Sequence, residues 1–199
     1  MQELSAPWLI SVLESNEAFR DRVEVERLPV ERKPWPYAVI TCMDPRVNLE
    51  AVGLPPFLSS GEVRSHARVI RTLGGIAEER SLAVGIHLAG FKEIAIVMHT
   101  DCGCSLAYAR IDTIIENMEK ALGPAEMAEF KKTIGEPFRE GLLEWLRAFQ
   151  DLREAVKTEV ARVKRFPFVP GSVSVHGLVY DLVTGQVEVV VNGYDTGTG

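Results

Sequence analysis

The sequence holds little cysteine, three residues in 199. So small and odd a number excludes the disulfide framework of a secreted mini-protein. Positive charge is also scarce: the chain carries a formal net charge of -6. That balance excludes nucleic acid as the main partner, because phosphate binding needs a basic face. No apolar run approaches the roughly 20 residues that span a bilayer, so no membrane partner is expected. The first residues, Met1-Gln2-Glu3-Leu4-Ser5-Ala6-Pro7, lack the basic start and apolar core of a signal peptide. A cytoplasmic location is the expectation. Gly74 and Gly75 belong to neither a dinucleotide fingerprint nor a Walker-type phosphate loop. Internal repeats and low-complexity tracts are missing as well.

What remains is an ordinary globular composition. Hydrophobic residues make up 46% of the chain, and mean hydropathy is +0.04, which fits a soluble protein with a real core. The length suits one domain over residues 1–199. Within it we read an N-terminal arm over 1–36 and a helical insertion over 123–150.

Strand and helix patterns alternate along the chain. Ser5 to Arg20 reads as a helix with apolar positions at Trp8, Leu9, Val12, Leu13 and Phe19. The Pro-rich stretch Pro29 to Pro36 leads into a strand over Tyr37 to Cys42. A second strand covers Ala67 to Thr72 and ends in Leu73-Gly74-Gly75, a turn needing open backbone geometry. Ala77 to Phe91 is expected to be helical, with Gly90 as its cap, and Glu93 to His99 is the third strand. Leu106 to Leu122, Met127 to Ile134, Pro137 to Phe149 and Asp151 to Lys164 carry helical patterns. The chain ends as a hairpin, Ser172 to Asp181 and Gln186 to Val191, around Thr184-Gly185. The expected fold class is α/β: a mostly parallel central sheet flanked by helices, with a C-terminal hairpin and an N-terminal helical arm.

Two short motifs carry the chemistry. Cys42-Met43-Asp44-Pro45-Arg46 and His99-Thr100-Asp101-Cys102 each follow an apolar strand-like run. In a parallel sheet both fall at carboxyl ends of strands, where such folds build their sites. Two thiolates and an imidazole form a common catalytic zinc set that leaves one position open to water. The expectation is one Zn2+ per chain on Cys42, His99 and Cys102, activating that water to hydroxide near neutral pH. Asp44 lies close enough to accept a hydrogen bond from the hydroxide, and Arg46 can hold Asp44 ionised. Gly103 follows the last ligand at a helix start, where its N–H can meet an anionic product. A second arrangement is open: Asp44 itself occupies the fourth zinc position and Arg46 loses its partner.

Blander readings compete at every position. A cysteine ending a buried strand is usually a small apolar side chain, and Asp-x-Arg pairs are often structural. A structural zinc normally takes four protein ligands; Cys104 is the candidate fourth, although Cys-x-Cys spacing makes that closure awkward. We read Cys104 as a bystander thiol, ahead of a Cys102–Cys104 redox pair. Among the other histidines, His87 sits in an apolar helical pattern and reads as a core histidine. His66 precedes a strand and reads as exposed. His176 alternates with Val173 and Val175, which suits a structural hydrogen bond.

These motifs resemble those of the β-class carbonic anhydrases, marked by Cys-x-Asp-x-Arg and a later His-x-x-Cys. His99-Thr100-Asp101-Cys102-Gly103 is similar to the short prokaryotic, archaeal-like branch. Pro167-Phe168-Val169-Pro170 and Val175-His176-Gly177-Leu178-Val179-Tyr180-Asp181 resemble the closing segment of that branch. Arg71-Thr72-Leu73-Gly74-Gly75 resembles the Arg-Asn-Ala-Gly-Gly turn, with Thr72 and Leu73 as departures. Further departures are Pro45 inside the first motif, Lys33 in place of the plant-type glutamine, and Val39 in place of the tryptophan of the bicarbonate-inhibited subgroup. The resemblance implies zinc on Cys42, His99 and Cys102 and a catalytic Asp44–Arg46 dyad. It also implies reversible hydration of CO2 to bicarbonate and a homodimer, or a dimer of dimers, whose interface helps form the cleft. Close branch members hydrolyse carbonyl sulfide or carbon disulfide on the same site, which makes that activity the alternative. A catalytically silent zinc-binding homologue is the other. Leu54 to Phe57 and the insertion are the segments expected to shape the pocket.

Overall fold

The computed structural model describes residues 8–22, 36–52 and 67–195. Ser5, the Pro-rich stretch before Pro36, Lys33, His66 and Leu54 to Phe57 lie outside the described residues. Among the described residues, five strands form one sheet in the order β2-β1-β3-β4-β5. They are β1 (Tyr37–Cys42), β2 (Ala67–Thr72), β3 (Glu93–His99), β4 (Ser174–Tyr180) and β5 (Val187–Val191). β1 pairs in parallel with β2 and with β3, and β3 in parallel with β4. β5 turns back antiparallel along β4, so the hairpin and the mostly parallel sheet follow the sequence pattern.

Side chains alternate across the sheet because the strand period is two. Ala38 and Ile40 of β1 join Ile94, Ile96 and Met98 of β3 in a core with Leu82, Phe91, Val156, Val160 and Val163. Val39 and Val97 face the other way, into a smaller cluster with Cys42, Val47, Cys102, Cys104 and Tyr180. Burial on both faces explains why β1 and β3 read as nearly continuous apolar runs. Among the described elements, no helix is long and apolar enough to cross a membrane.

Among the described residues, seven α-helices accompany the strands: α1 (Trp8–Arg22), α2 (Glu79–Val84), α3 (Gly103–Ala109), α4 (Ile111–Ala121), α5 (Pro124–Ile134), α6 (Phe138–Leu146) and α7 (Leu152–Lys164). Three of them correct the sequence reading. The helix expected from Ala77 starts later, since Ala77 donates its N–H to the buried Glu159 at 2.7 Å and Glu78 caps the helix from an extended conformation. It then runs through a π turn, Gly85–Ala89, to Gly90 at φ 82°. The helix expected over Leu106 to Leu122 is two helices, α3 and α4, broken at Arg110. The break lets them serve different cores: Cys104 packs toward the sheet, whereas Ile111 packs with Met127, Phe138 and Leu142. His87 is exposed rather than in the core, its Nε2 2.8 Å from the Phe168 carbonyl oxygen. His176 keeps the structural hydrogen bond: its Nδ1 accepts from the Gly193 N–H at 3.0 Å.

Candidate metal centre

Cys42 is the last residue of β1 and His99 the last of β3, and these strands are parallel neighbours. The sheet therefore delivers both halves of the site to the same edge, side by side. Cys102 follows three residues later as the N-cap of α3. The two Cys sulfurs and one imidazole nitrogen all lie within 4.8 Å of one another, with the sulfurs 3.8 Å apart. All three residues are buried, and both cysteines are free thiols.

The donor chemistry fits a zinc ion. The ring of His99 pairs its Nδ1 with the Thr100 carbonyl oxygen at 2.8 Å. That bond makes Nδ1 the protonated nitrogen and leaves the lone pair on Nε2. Nε2 is fully buried with no hydrogen-bond partner, a costly state for a polar atom. Burial, with the adjacent Cys42 sulfur adding to it, pushes the Cys102 thiol well above its ordinary range. A cation among these three atoms satisfies the imidazole and stabilises both thiolates. Cys104 points elsewhere: its thiol donates to the carbonyl oxygens of Leu146 and Arg147, the latter at 3.4 Å.

Beside this triad lies a carboxylate–guanidinium pair. Asp44 Oδ1 accepts from the Arg46 backbone N–H at 2.9 Å, an Asx turn closed around Pro45. Proline, which has no backbone N–H, suits the position because the turn uses the N–H of Arg46 and none at residue 45. Arg46 also donates to Asp44 from Nε at 3.0 Å and from Nη2 at 2.7 Å. These hydrogen bonds hold the Asp44 carboxyl well below the usual carboxylate range. Gly103 opens α3 and is exposed, with open space where a side chain would start.

Two arginine contacts extend the site beyond the residues singled out from the sequence. Arg71, at the end of β2, donates to the carbonyl oxygens of Cys42, Asp44 and Val47 at 2.9, 3.2 and 3.1 Å. Arg46 donates to Asp101 as well. Both residues stood inside quoted motifs; what the sequence did not carry was the direction of their side chains. The Gly74–Gly75 turn takes φ of 67° and 76°. A side chain on Gly74 would fall 3.0 Å from the Cys104 Cβ, so the turn packs directly against Cys104 in the first turn of α3.

A family model described as carbonic anhydrase matches residues 37–187, most of the chain. The chain belongs to the carbonic anhydrase family. Within it, the kinship is to the β class. A β-carbonic anhydrase structure from Trichomonas vaginalis superimposes with a TM-score of 0.73 at 28% identity, covering 95% of this chain and 100% of that one. The YtiB protein of Bacillus subtilis strain 168 is 30% identical over 192 residues, covering 94% of this chain and 98% of YtiB. Carbon disulfide hydrolase of Acidianus sp. strain A1-3 is 29% identical over 178 residues, with 82% and 79% of the two chains covered.

Proposed function

We propose that this β-carbonic anhydrase family member hydrates CO2 reversibly to bicarbonate and a proton at one zinc ion held by Cys42, His99 and Cys102. One observation carries the reading: an unpartnered buried imidazole nitrogen and two free thiols converge beside a carboxylate that Arg46 keeps ionised. When bound, zinc supplies Lewis-acid activation of water near neutral pH. The chain's own residues then divide the remaining tasks. Asp44, ionised, only accepts hydrogen bonds, so it selects a reacting group that still carries a proton and fixes its orientation. Arg46 holds that carboxylate in place. Val39, Val47 and Tyr180 give the neighbourhood apolar walls, which suit an uncharged linear substrate and exclude competing water. The N–H of Gly103 is available to the anionic product.

The association proposed is a homodimer or a dimer of dimers, because Ile10, Val12, Leu13 and Phe19 of α1 are exposed. Three free cysteines fit a reducing cytoplasm. The helices over 123–150 are taken as an insertion beside the site, sharing a small core with Ile111 of α4.

A second reading has support in the carbon disulfide hydrolase relative: hydrolysis of carbonyl sulfide or carbon disulfide on the same residues. An apolar pocket discriminates a modest size difference by only about 1–3 kcal/mol, so some crossover is expected. The test is a paired assay on one zinc-loaded preparation, measuring CO2 hydration and sulfide release from carbonyl sulfide and carbon disulfide. CO2 is expected to win in kcat/KM. A preference for a sulfur substrate above tenfold, about 1.4 kcal/mol, transfers the assignment to the second reading. Zinc binding without turnover of any of the three makes the chain a silent homologue.

A further inference from the structure

Resting on that reading of the site, we propose that Asp101 is a positioning residue: it anchors the far side of Arg46 and thereby fixes Asp44 beside the metal ligands. Arg46 spends its donors on two carboxylates. Nε and Nη2 face Asp44, while Nη1 donates to Asp101 Oδ2 at 2.7 Å and Nη2 to the Asp101 carbonyl oxygen at 3.0 Å. Asp101 thus offers a side-chain and a main-chain oxygen to one guanidinium. It does so from φ 53°, a left-handed backbone that glycine, asparagine and aspartate adopt more readily than other residues. Such unusual backbone in the middle of a ligand motif is the kind of strain that functional sites retain.

The need for a second anchor follows from exposure. The side chains of Arg46 and Asp101 are 52% and 81% open to solvent, and a single exposed ion pair restrains a long side chain weakly. The anchor rests on Asp101 adding its main-chain carbonyl to its carboxylate on the same guanidinium. Asp101 belongs to the His99–Cys102 segment and Asp44 to the Cys42 segment. Arg46 therefore ties together the two halves of the site that the sheet brings side by side. Without the Asp101 contact the guanidinium is free to swing outward, and Asp44 loses its fixed orientation. Asp101 touches neither substrate nor metal in this scheme; it acts through Arg46.

The variants are chosen to separate backbone from side chain. Asp101→Gly keeps the left-handed backbone and the carbonyl contact and removes only the carboxylate. Asp101→Asn keeps a neutral acceptor. With zinc alone added, both should retain about one zinc per chain. Asp101→Gly should lose about tenfold in kcat for CO2 hydration with KM little changed, and Asp101→Asn should recover part of that loss. In an Arg46→Ala background, Asp101→Gly should change turnover less than twofold, because its route of action is gone. A readout independent of turnover is the Arg46 Nε–H resonance in 15N NMR, protected from exchange in the parent protein and unprotected in Asp101→Gly. Wild-type kcat together with a protected Nε–H in Asp101→Gly overturns the proposal. An equal loss with and without Arg46 overturns it too, as does loss of zinc from Asp101→Gly. A parent protein without CO2 turnover defeats the functional reading instead, and the NMR comparison still decides the role of Asp101.

Discussion

Arg71 Nη1 reaches from the end of β2 to the carbonyl oxygen of Cys42 at 2.9 Å. The same guanidinium holds the carbonyls of Asp44 and Val47, so one side chain fastens three points of the loop after β1. Hydrogen bonds from a charged donor contribute about 1.5–3 kcal/mol when well sheltered and less toward solvent. Arg71→Met should therefore lower stability by about 1–2 kcal/mol and turnover by about tenfold, with zinc retained. Arg71→Lys, with a point charge in place of a planar fork, should recover only part. Denaturant melts and CO2 hydration kinetics on the same preparations check this; wild-type values for Arg71→Met would remove the loop clamp.

Metal content distinguishes an open three-residue site from a closed structural one. Cys42→Ser and Cys102→Ser should each lose most of the zinc measured per chain. Cys104→Ser should keep it, because the Cys104 thiol is spent on the carbonyl oxygens of Leu146 and Arg147. Zinc lost from Cys104→Ser alone would point to a fourth thiolate ligand.

Asp44→Asn tests the carboxylate. The amide keeps the size of the side chain and one acceptor, so fold and zinc content should survive. It cannot accept at both atoms, and its NH2 faces the donors of Arg46. A loss of at least about tenfold in kcat is expected, within the usual range for a misplaced acid–base group. Unchanged turnover would take Asp44 out of the mechanism.

Glu78 offers a stability prediction with a defined pH window. Its carboxylate accepts from the Ser81 side chain and N–H and from Arg80, which lowers its pKa from 4.5 to about 2. A depressed folded-state value means the unfolded chain binds the proton more tightly. The stabilisation is then present in full above the unfolded value and disappears as pH falls toward the folded one. Loss of an N-cap costs about 1 kcal/mol. Glu78→Gln should show its deficit above pH 4.5 and converge with the parent protein between pH 4.5 and 2. Melting temperatures measured across that interval check the convergence; a gap that stays constant would mean the charge on Glu78 contributes nothing.

Much of this architecture was legible because local pattern and tertiary role agree. The apolar runs of β1 and β3 needed only the rule that doubly buried strands lack alternation, and the two motifs at their ends are the ones the sheet brings together in the Cys42–His99–Cys102 cluster. Where the reading failed, a distant partner decided the outcome. The start of α2 was displaced by the buried Glu159, which Arg162 pairs with at 2.5 Å from within α7, and nothing near Ala77 signals that acceptor. The break at Arg110 reflects two cores competing for one apolar stripe. The contacts of Arg71 and Asp101 were not legible for a related reason. A sequence motif names residue types, whereas a hydrogen bond across 55 residues, such as Arg46 to Asp101, exists only once strands β1 and β3 are laid side by side.

The N-terminal helix supplies the last prediction. α1 is 15 residues long, and helices of that length are marginal in water unless something packs on them. Every described side chain from Ile10 to Arg20 is exposed, including Leu13 at 58% and Ile10 at 45%. Apolar exposure of this kind on a secondary element calls for a covering surface, and a second copy of the chain satisfies it with a symmetric exchange of arms. Sedimentation of the intact protein should give a dimer or a multiple of it. Leu13→Lys should weaken the assembly and shift it toward monomer at low concentration, and deletion of residues 1–20 should do so more strongly. Zinc content should follow the fold rather than the association, since Cys42, His99 and Cys102 come from one chain. An intact protein that sediments as an active monomer at all concentrations, with α1 deletion changing neither mass nor stability, would show that the helix has no partner to cover it.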